Sequence, residues 1–293
     1  MKIHYSPYTL AGKPPFKDRE GALLQVQFPD GGVGYADVHP WHEFGDKPLA
    51  EQISLLYQGV PTSLTKRSLY FAKVDADARK AKINLFKHLV VPQSHWLVTS
   101  PDEPIPEKFK TVKIKADPST DLKKQLSSLH PDLKIRIDFN NKHTFESFSK
   151  WLPTISEFTS RIDFIEDPFP YDEDQWKSIS VPLATDFQSE MGDIAIIKPA
   201  IEDLEDFKEC ERIIVTSYLD HPIGQLGAAY IAAVLRDKHP KRGEVCGLLS
   251  HLVYEKNSFS ERLSNDGPTL IATTGGLGFG YDDLLKKLSW KSK

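Results

Sequence analysis

Two lysines one residue apart, Lys113 and Lys115, are a first pair whose type and spacing suggest chemistry. In a strand, alternate side chains share a face, so both ammonium groups point one way while Val112 and Ile114 face a helical layer. Adjacent ammonium groups disfavour each other's protonation, which lets one act as a base near neutral pH. For the pair alone, a solvated edge strand is the plainer account. Further along, Arg136-Ile-Asp138-Phe-Asn140 sets Arg136, Asp138 and Asn140 on one face. Phe164-Ile-Glu166 ends an apolar run in an acid, and Leu183-Ala-Thr-Asp186 does the same. Each acid alone would more often be a helix cap or a surface pair, and Asp186 could simply open a helix.

The intervals between Asp138, Glu166 and Asp186 each suit one βα unit. Adjacent strand ends of a barrel lie side by side, so the three carboxylates would converge at its C-terminal mouth. They would repel one another unless a cation sat among them, and oxygen-only ligation points to Mg²⁺ or Mn²⁺. Ile196-Ile197-Lys198-Pro199 adds a lysine that, taken alone, would snorkel to solvent. On a sixth strand it stands across the mouth from Lys115. Ser217, ending Ile213-Ile-Val-Thr-Ser217, offers a hydrogen bond to a substrate. A base, an opposing cation and a metal around one cavity suit removal of a proton next to a carboxylate.

Those side chains need strands to carry them. From about His95, strand-like segments at 95–99, 110–115, 133–139, 161–166, 181–185, 193–198, 211–217 and 245–252 alternate with helical ones. The helical segments are Leu122–Leu129, Thr144–Phe158, Leu204–Cys210 and Ile223–Leu235, and a helix between 186 and 193 is missing or very short. Eight strands with short helical crossovers predict a (β/α) barrel over 95–255. Residues 1–94 read as an α+β cap: a hairpin of Ala22–Phe28 and Val33–Asp37 around Pro29-Asp-Gly-Gly32, then helices at Leu49–Tyr57 and Val74–Leu89. Residues 256–293 form a C-terminal segment returning toward the cap. In it, Gly275-Gly-Leu-Gly278-Phe-Gly280 lacks the Lys-Ser/Thr of a phosphate loop and reads as a tight turn of the backbone.

The formal net charge of −4, with basic pairs no larger than Lys241-Arg242, gives no field suited to nucleic acid. Ala228–Leu235 is too short to span a bilayer, and the N-terminus lacks the apolar stretch of a secretory signal. Two cysteines, Cys210 and Cys246, allow one disulfide but read better as a reducing, cytoplasmic compartment. A soluble enzyme is expected, acting on a small-molecule carboxylate, and a monomer is compatible with this surface.

Lys113-Ile-Lys115, Asp138-Phe-Asn140, Glu166-Asp-Pro168, Asp186 and Lys198-Pro199 together resemble the enolase superfamily in its muconate-lactonising branch. Within that branch the chain is most similar to the o-succinylbenzoate synthase family of menaquinone biosynthesis. The likeness runs through Arg19-Glu-Gly21, Gly34-Tyr-Ala-Asp37-Val-His-Pro40, Ser217 to Gly224 and Cys246-Gly-Leu248. It implies a modified TIM barrel with a capping domain and a Mg²⁺-dependent hydro-lyase. Lys115 would be the base and then the acid, and Lys198 the opposing cation. Asp138, Glu166 and Asp186 would be the metal ligands, supported by Asn140. Lys113, Ser217, Gly247 and Arg19 would contact substrate, with the Lys13–Arg19 and His39–Phe44 segments as lids. The implied reaction is syn dehydration of 2-succinyl-6-hydroxycyclohexa-2,4-diene-1-carboxylate to 2-succinylbenzoate.

Three features depart from the family pattern: Phe187 where Glu usually follows the third metal acid, Asp37 where Glu is common, and Tyr218, Asp220 and His221 interrupting a run of small residues. N-succinylamino-acid racemisation or dipeptide epimerisation on the same fold is the rival, since two opposed lysines also serve both faces of an enolate. A barrel that only binds would not require both lysines and all three acids in register.

Overall fold

The computed structural model describes residues 1–101, 103–186, 194–207, 210–240, 244–272 and 275–292. The chain begins with a three-stranded antiparallel sheet, β1 (Lys2–Leu10), β2 (Arg19–Gln27) and β3 (Val33–Val38), in that spatial order. β2 and β3 form the expected hairpin. At its tip Gly31 takes φ 80°, a left-handed conformation that glycine adopts without a Cβ clash. Helices α1 (Leu49–Tyr57) and α2 (Ser63–Lys80) follow, and Thr62 caps α2 through a reciprocal bond with Thr65. α2 lies so close to β3 that a Cβ on Gly34 would stand 1.8 Å from the Ala72 carbonyl oxygen. Only glycine permits that approach.

The second helix differs from its expected range. It begins at Ser63 and ends at Lys80, where Lys82 turns left-handed at φ 57° and the Ile83 N–H bonds back to the Ala78 carbonyl. Residues 84–85 instead pair with Gly278: the Leu85 N–H donates to its carbonyl, while its own N–H donates to Ile83. β1 was not expected.

The remainder alternates strand and helix: β4 (Trp96–Val98), β5 (Thr111–Lys115), α3 (Leu122–Ser128), β6 (Lys134–Asp138), α4 (Phe145–Trp151), β7 (Ile162–Glu166), α5 (Glu173–Lys177), β8 (Leu183–Asp186), β9 (Ile194–Ile197), β10 (Arg212–Val215) and α6 (Pro222–Lys238). Pro153 stands where α4 gives way to a 3₁₀ segment over Leu152–Arg161, so the single helix expected there divides in two. The segment expected at 204–210 is a 3₁₀ turn over Leu204–Phe207. Phe187, the 187–193 crossover and Lys241-Arg242 lie outside the described residues.

The strands form a curled parallel sheet in the order β4 to β10. The eighth position is shorter than the expected 245–252 strand. Cys246 bridges Ser94 beside β4 and Gly247 bridges Thr216 beside β10, after which Ser250–Val253 winds into a 3₁₀ turn. Bonds from His95 N to Cys246 O (2.8 Å), Gly247 N to Val215 O (3.0 Å) and Ser217 N to Gly247 O (2.9 Å) close the ring on both sides. The capping α+β layer and curled parallel sheet are the expected fold class, a modified TIM-type barrel of the enolase kind.

Core packing follows the strand alternation. Val112, Ile114, Ile135 and Ile137 face outward with Leu122, Leu126 and Phe148 of the helices. Phe164, Ala184, Ile194, Ile196 and Ile214 fill the barrel interior. The buried Arg136 adds its guanidinium over the Phe164 ring at 4.6 Å. Beyond the barrel, β11 (Ser264–Asp266) and β12 (Thr269–Ile271) form a small hairpin, followed by α7 (Asp282–Leu285). Lys291 pairs with Tyr5 of β1, and the Phe279 N–H bonds Asp75 of α2. Gly276, Gly278 and Gly280 all have positive φ, the tight backbone return expected there.

Candidate functional site

The site grows from the inward residues at the C-terminal ends of the barrel strands. β5 presents Lys113 and Lys115, β6 Asp138, β7 Glu166 and β8 Asp186, while Lys198 follows β9. Register holds them level: Lys115 pairs with Asp138, and Asp138 with Glu166. Counting β4 as the first of eight ring positions, β5 is second and β9 sixth. Lys115 and Lys198 therefore rise from opposed positions across the mouth.

A cavity of about 300 Å³ opens above these strand ends. Lys113, Lys115, Asp138, Asn140, Asp186 and Lys198 line it from one part of the ring. Ser217 and Gly247 complete its wall. From the cap come Lys13, Phe16, Trp41 and Phe44, drawn from both segments expected to act as lids.

The ammonium and carboxylate groups are closely paired. Buried Lys113 donates to both carboxylate oxygens of Glu166 at 2.7 and 2.8 Å and lies 2.9 Å from Asp138 Oδ2. Burial opposes its charge, but Asp138, Glu166 and Asp186 outweigh that penalty and hold its pKa well above the usual lysine range. Lys198 donates to Asp186 Oδ2, and its backbone N–H donates to Glu202 at 2.8 Å. Lys115 is the more open amine: its side chain keeps 47% exposure and stands 3.9 Å from Asp138 Oδ2. Burial of its surroundings pushes its pKa down; Asp138 opposes this, while Lys113 and Lys198 add to it.

Asp138 is buried yet held low, because Lys113 and Lys115 override desolvation. Glu166 is pushed up by burial and by the charge of Asp138. Backbone geometry reinforces the acids. Asn140, at φ 48°, donates its N–H to Asp138 Oδ1 at 3.1 Å. Asp167, at φ 41°, accepts the Asp186 N–H at 3.2 Å.

The arrangement differs from three open carboxylates around a cation. Among the described residues, no group of three or more His, Cys, Asp and Glu side chains is disposed to hold a metal ion. Lys113 occupies the space between Asp138 and Glu166, and Lys198 reaches Asp186. The donor set nevertheless fits a hard cation in kind and in place. Three carboxylates stand on neighbouring strand ends, and Asp186 Oδ1 is buried without a hydrogen-bond partner among the described residues. An orphaned buried oxygen of that kind is what a cation would satisfy.

Ser217 donates its hydroxyl to the Gly247 carbonyl at 3.2 Å, tying two predicted substrate contacts together. Arg19 is placed differently from expectation. Its guanidinium lies 3.8 Å from the Trp41 ring centroid and pairs with Glu43 at 2.7 Å, so it supports the wall without lining the cavity. Cys210 and Cys246 are both buried, and neither forms a disulfide among the described residues.

His95 is a wall residue that sequence reasoning missed, and Tyr218 figures there only as a departure from the family pattern, whereas Trp41 and Phe44 lie in the expected 39–44 lid segment. The Trp41 indole donates to the Tyr218 carbonyl at 2.7 Å, and the Tyr218 hydroxyl donates to Asp46 at 3.0 Å, fastening the 41–46 loop to the barrel. For His95, the one available signal was its parity with Leu97, which places both on the inward face of the first strand.

Comparison with known proteins agrees with this architecture. Residues 3–78 match the family described as O-succinylbenzoate synthase, N-terminal domain. A curated o-succinylbenzoate synthase of Bdellovibrio bacteriovorus is 33% identical over 327 aligned positions, covering 99% of this chain and 98% of its own. Among solved structures, a mandelate racemase/muconate lactonizing enzyme from Roseiflexus sp. aligns with TM-score 0.79 at 15% identity, covering 99% of this chain and 98% of its own. A dipeptide epimerase from Enterococcus faecalis, complexed with Mg and the dipeptide L-Leu-L-Tyr, gives 0.74 at 16%, covering 95% and 98%. A capped parallel barrel with acids and amines at its strand ends defines the class, and the chain belongs to the enolase superfamily. Within it, the chain falls in the o-succinylbenzoate-synthase-like clade.

Proposed function

We propose that this protein removes a proton alpha to a carboxylate and eliminates hydroxide, converting 2-succinyl-6-hydroxycyclohexa-2,4-diene-1-carboxylate into 2-succinylbenzoate. The observation that carries the reading is the pair of lysines on opposed ring positions, one open to the cavity and depressed in pKa, the other held beside Asp186. Similarity along the whole length to the curated o-succinylbenzoate synthase of Bdellovibrio bacteriovorus supports 2-succinylbenzoate as the product.

Lys115, as the neutral amine, takes the alpha proton. The resulting ammonium returns that proton to the departing hydroxide on the same face, so C–H and C–O bonds break and water leaves while the ring becomes aromatic. Lys198 stays cationic on the other face and stabilises the enolate by charge and by contact with the ring. Lys113 keeps a fixed positive charge beside Lys115 and so favours its neutral form. Asp138, Glu166 and Asp186 would hold a divalent ion, Mg²⁺ or Mn²⁺. Such an ion supplies Lewis-acid stabilisation of the oxygens that gain charge. Ser217 and Gly247 seat the remote part of the substrate.

A second reading, racemisation of an N-succinylamino acid or epimerisation of a dipeptide, is favoured by the same opposition of Lys115 and Lys198. It uses both amines as proton carriers. The test supplies Mg²⁺ and presents the cyclohexadiene acid, an N-succinylamino acid and a dipeptide to the purified protein in parallel. Dehydration faster than either inversion supports the synthase; inversion without dehydration replaces it with the second reading.

A further inference from the structure

His95 stands at the base of the cavity, buried to 8% exposure, on the first ring position. Its backbone N–H bonds Cys246 where the ring closes, and its Cε1–Nε2 edge lies against Gly247, where a Cβ would meet those atoms at 2.9 and 3.2 Å. Its Nδ1 lies 3.2 Å from Arg136 Nη1. Arginine only donates, so Nδ1 must accept and the proton of the neutral imidazole must sit on Nε2. Arg136 is itself fixed, through Nε to Asp163 and Nη1 to the Val245 carbonyl, both at 2.8 Å. Nε2 has no hydrogen-bond partner among the described residues. Burial, Arg136 and Lys113 all disfavour a second proton, which keeps the ring neutral.

Around the ring, His95 and Gly247 on the first and eighth positions stand across from Asp186 and Glu166 on the fifth and fourth. A substrate whose carboxylate lies at the acid and lysine side would extend its other end toward His95.

We propose that His95 is a substrate-binding, specificity-determining residue whose Nε2–H donates to an acceptor oxygen, carbonyl or carboxylate, on the arm of the substrate remote from the acid cluster. Naming that arm as the succinyl group rests on the proposed function; the donor itself does not. A neutral N–H selects an acceptor without placing a third cation beside Lys113 and Lys115. The site would thus prefer bifunctional acids over simple ones.

The tautomer is read first, by ¹⁵N NMR of the histidine-labelled, Mg²⁺-loaded protein between pH 6 and 8. An Nε2-protonated neutral ring is expected throughout; an Nδ1–H tautomer or an imidazolium overturns the proposal whatever the substrate. Binding of 2-succinylbenzoate and of benzoate is then compared in wild type, His95→Asn and His95→Gln. Asn keeps an acceptor for Arg136 but withdraws the donor, whereas Gln keeps the reach. His95→Asn should weaken 2-succinylbenzoate about 10- to 100-fold, as expected for a lost hydrogen bond to a charged acceptor. Benzoate should be unaffected, and His95→Gln should recover part of the loss. Equal changes for both ligands, or none, overturn the proposal. If wild type does not bind 2-succinylbenzoate, the proposed function fails and N-succinylphenylalanine replaces it as probe. A selective loss in His95→Asn then still supports the donor, and equal binding removes it.

Discussion

Lys113 and Glu166 are 53 residues apart in sequence, yet the lysine ammonium bonds both oxygens of the glutamate carboxylate, at 2.7 and 2.8 Å. With Asp138 on its other side, this buried amine neutralises the carboxylates that the proposed function assigns to a cation.

Removing one partner of a buried ion pair leaves an uncompensated charge, which typically costs about 3–5 kcal/mol. Lys113→Met should therefore lower the stability of the EDTA-treated protein by about that amount. Added Mg²⁺ should then stabilise the variant more than the wild type, because Asp138 and Glu166 have lost their counter-charge. Urea denaturation with and without Mg²⁺ measures both effects. An unchanged midpoint in EDTA would contradict the pairing.

Activity should vanish when the metal is chelated and return with Mg²⁺. Turnover of the cyclohexadiene acid before and after EDTA, with residual metal measured by mass spectrometry, tests this; full activity in a verified metal-free sample would rule out the ion's assigned part.

The junction between cap and barrel carries its own pH dependence. Asp37 accepts from the Tyr8 hydroxyl at 2.6 Å and from the His221 N–H at 3.0 Å, and Asp220 lies beside it with Oδ1 unpartnered among the described residues. Burial pushes Asp37 up to about 7, and burial with the charge of Asp37 pushes Asp220 well up. Raised folded pKa values mean that the native state holds protons the unfolded chain releases. Their stabilising contribution is complete below the usual aspartate pKa and is lost as pH rises through the folded values. Asp220→Asn should flatten the decline of wild-type stability between pH 5 and 8. His39 and His221 are common to both proteins, so the difference isolates the carboxyl pair; parallel stability curves would refute it.

Tyr218→Phe removes the hydroxyl that fastens Asp46 and hence the loop bearing Trp41 and Phe44. Losing one hydrogen bond to a carboxylate is worth about 1.5–3 kcal/mol, so KM should rise about tenfold or more while kcat changes little. A fall in kcat at constant KM would instead place Tyr218 in the chemistry.

The barrel was legible because its strands are short apolar runs ending in a polar residue, as in Ile162-Asp-Phe-Ile-Glu166, and each run falls where the alternation requires. The acids and amines were legible for the same reason: parity and strand ends fix their side of the sheet. β1 was not, since Pro7 interrupts it; its edge position in the cap sheet tolerates a residue that cannot donate. α2 was misjudged because its start depends on the Thr62–Thr65 cap and its end on Lys82, neither of which changes the apolar pattern. The pairing of Lys113 with Glu166 and the fixing of His95 by Arg136 depend on distances across the ring, which strand parity does not encode.

The proposed chemistry begins with Lys115 as the base. Turnover of the cyclohexadiene acid by Mg²⁺-loaded Lys115→Ala is the direct measurement. kcat should fall by about 10²–10⁴-fold or more, as for loss of a positioned general base, with the unfolding midpoint close to wild type because the side chain is half exposed. Dehydration by that variant at near wild-type rate would contradict the mechanism at its first step.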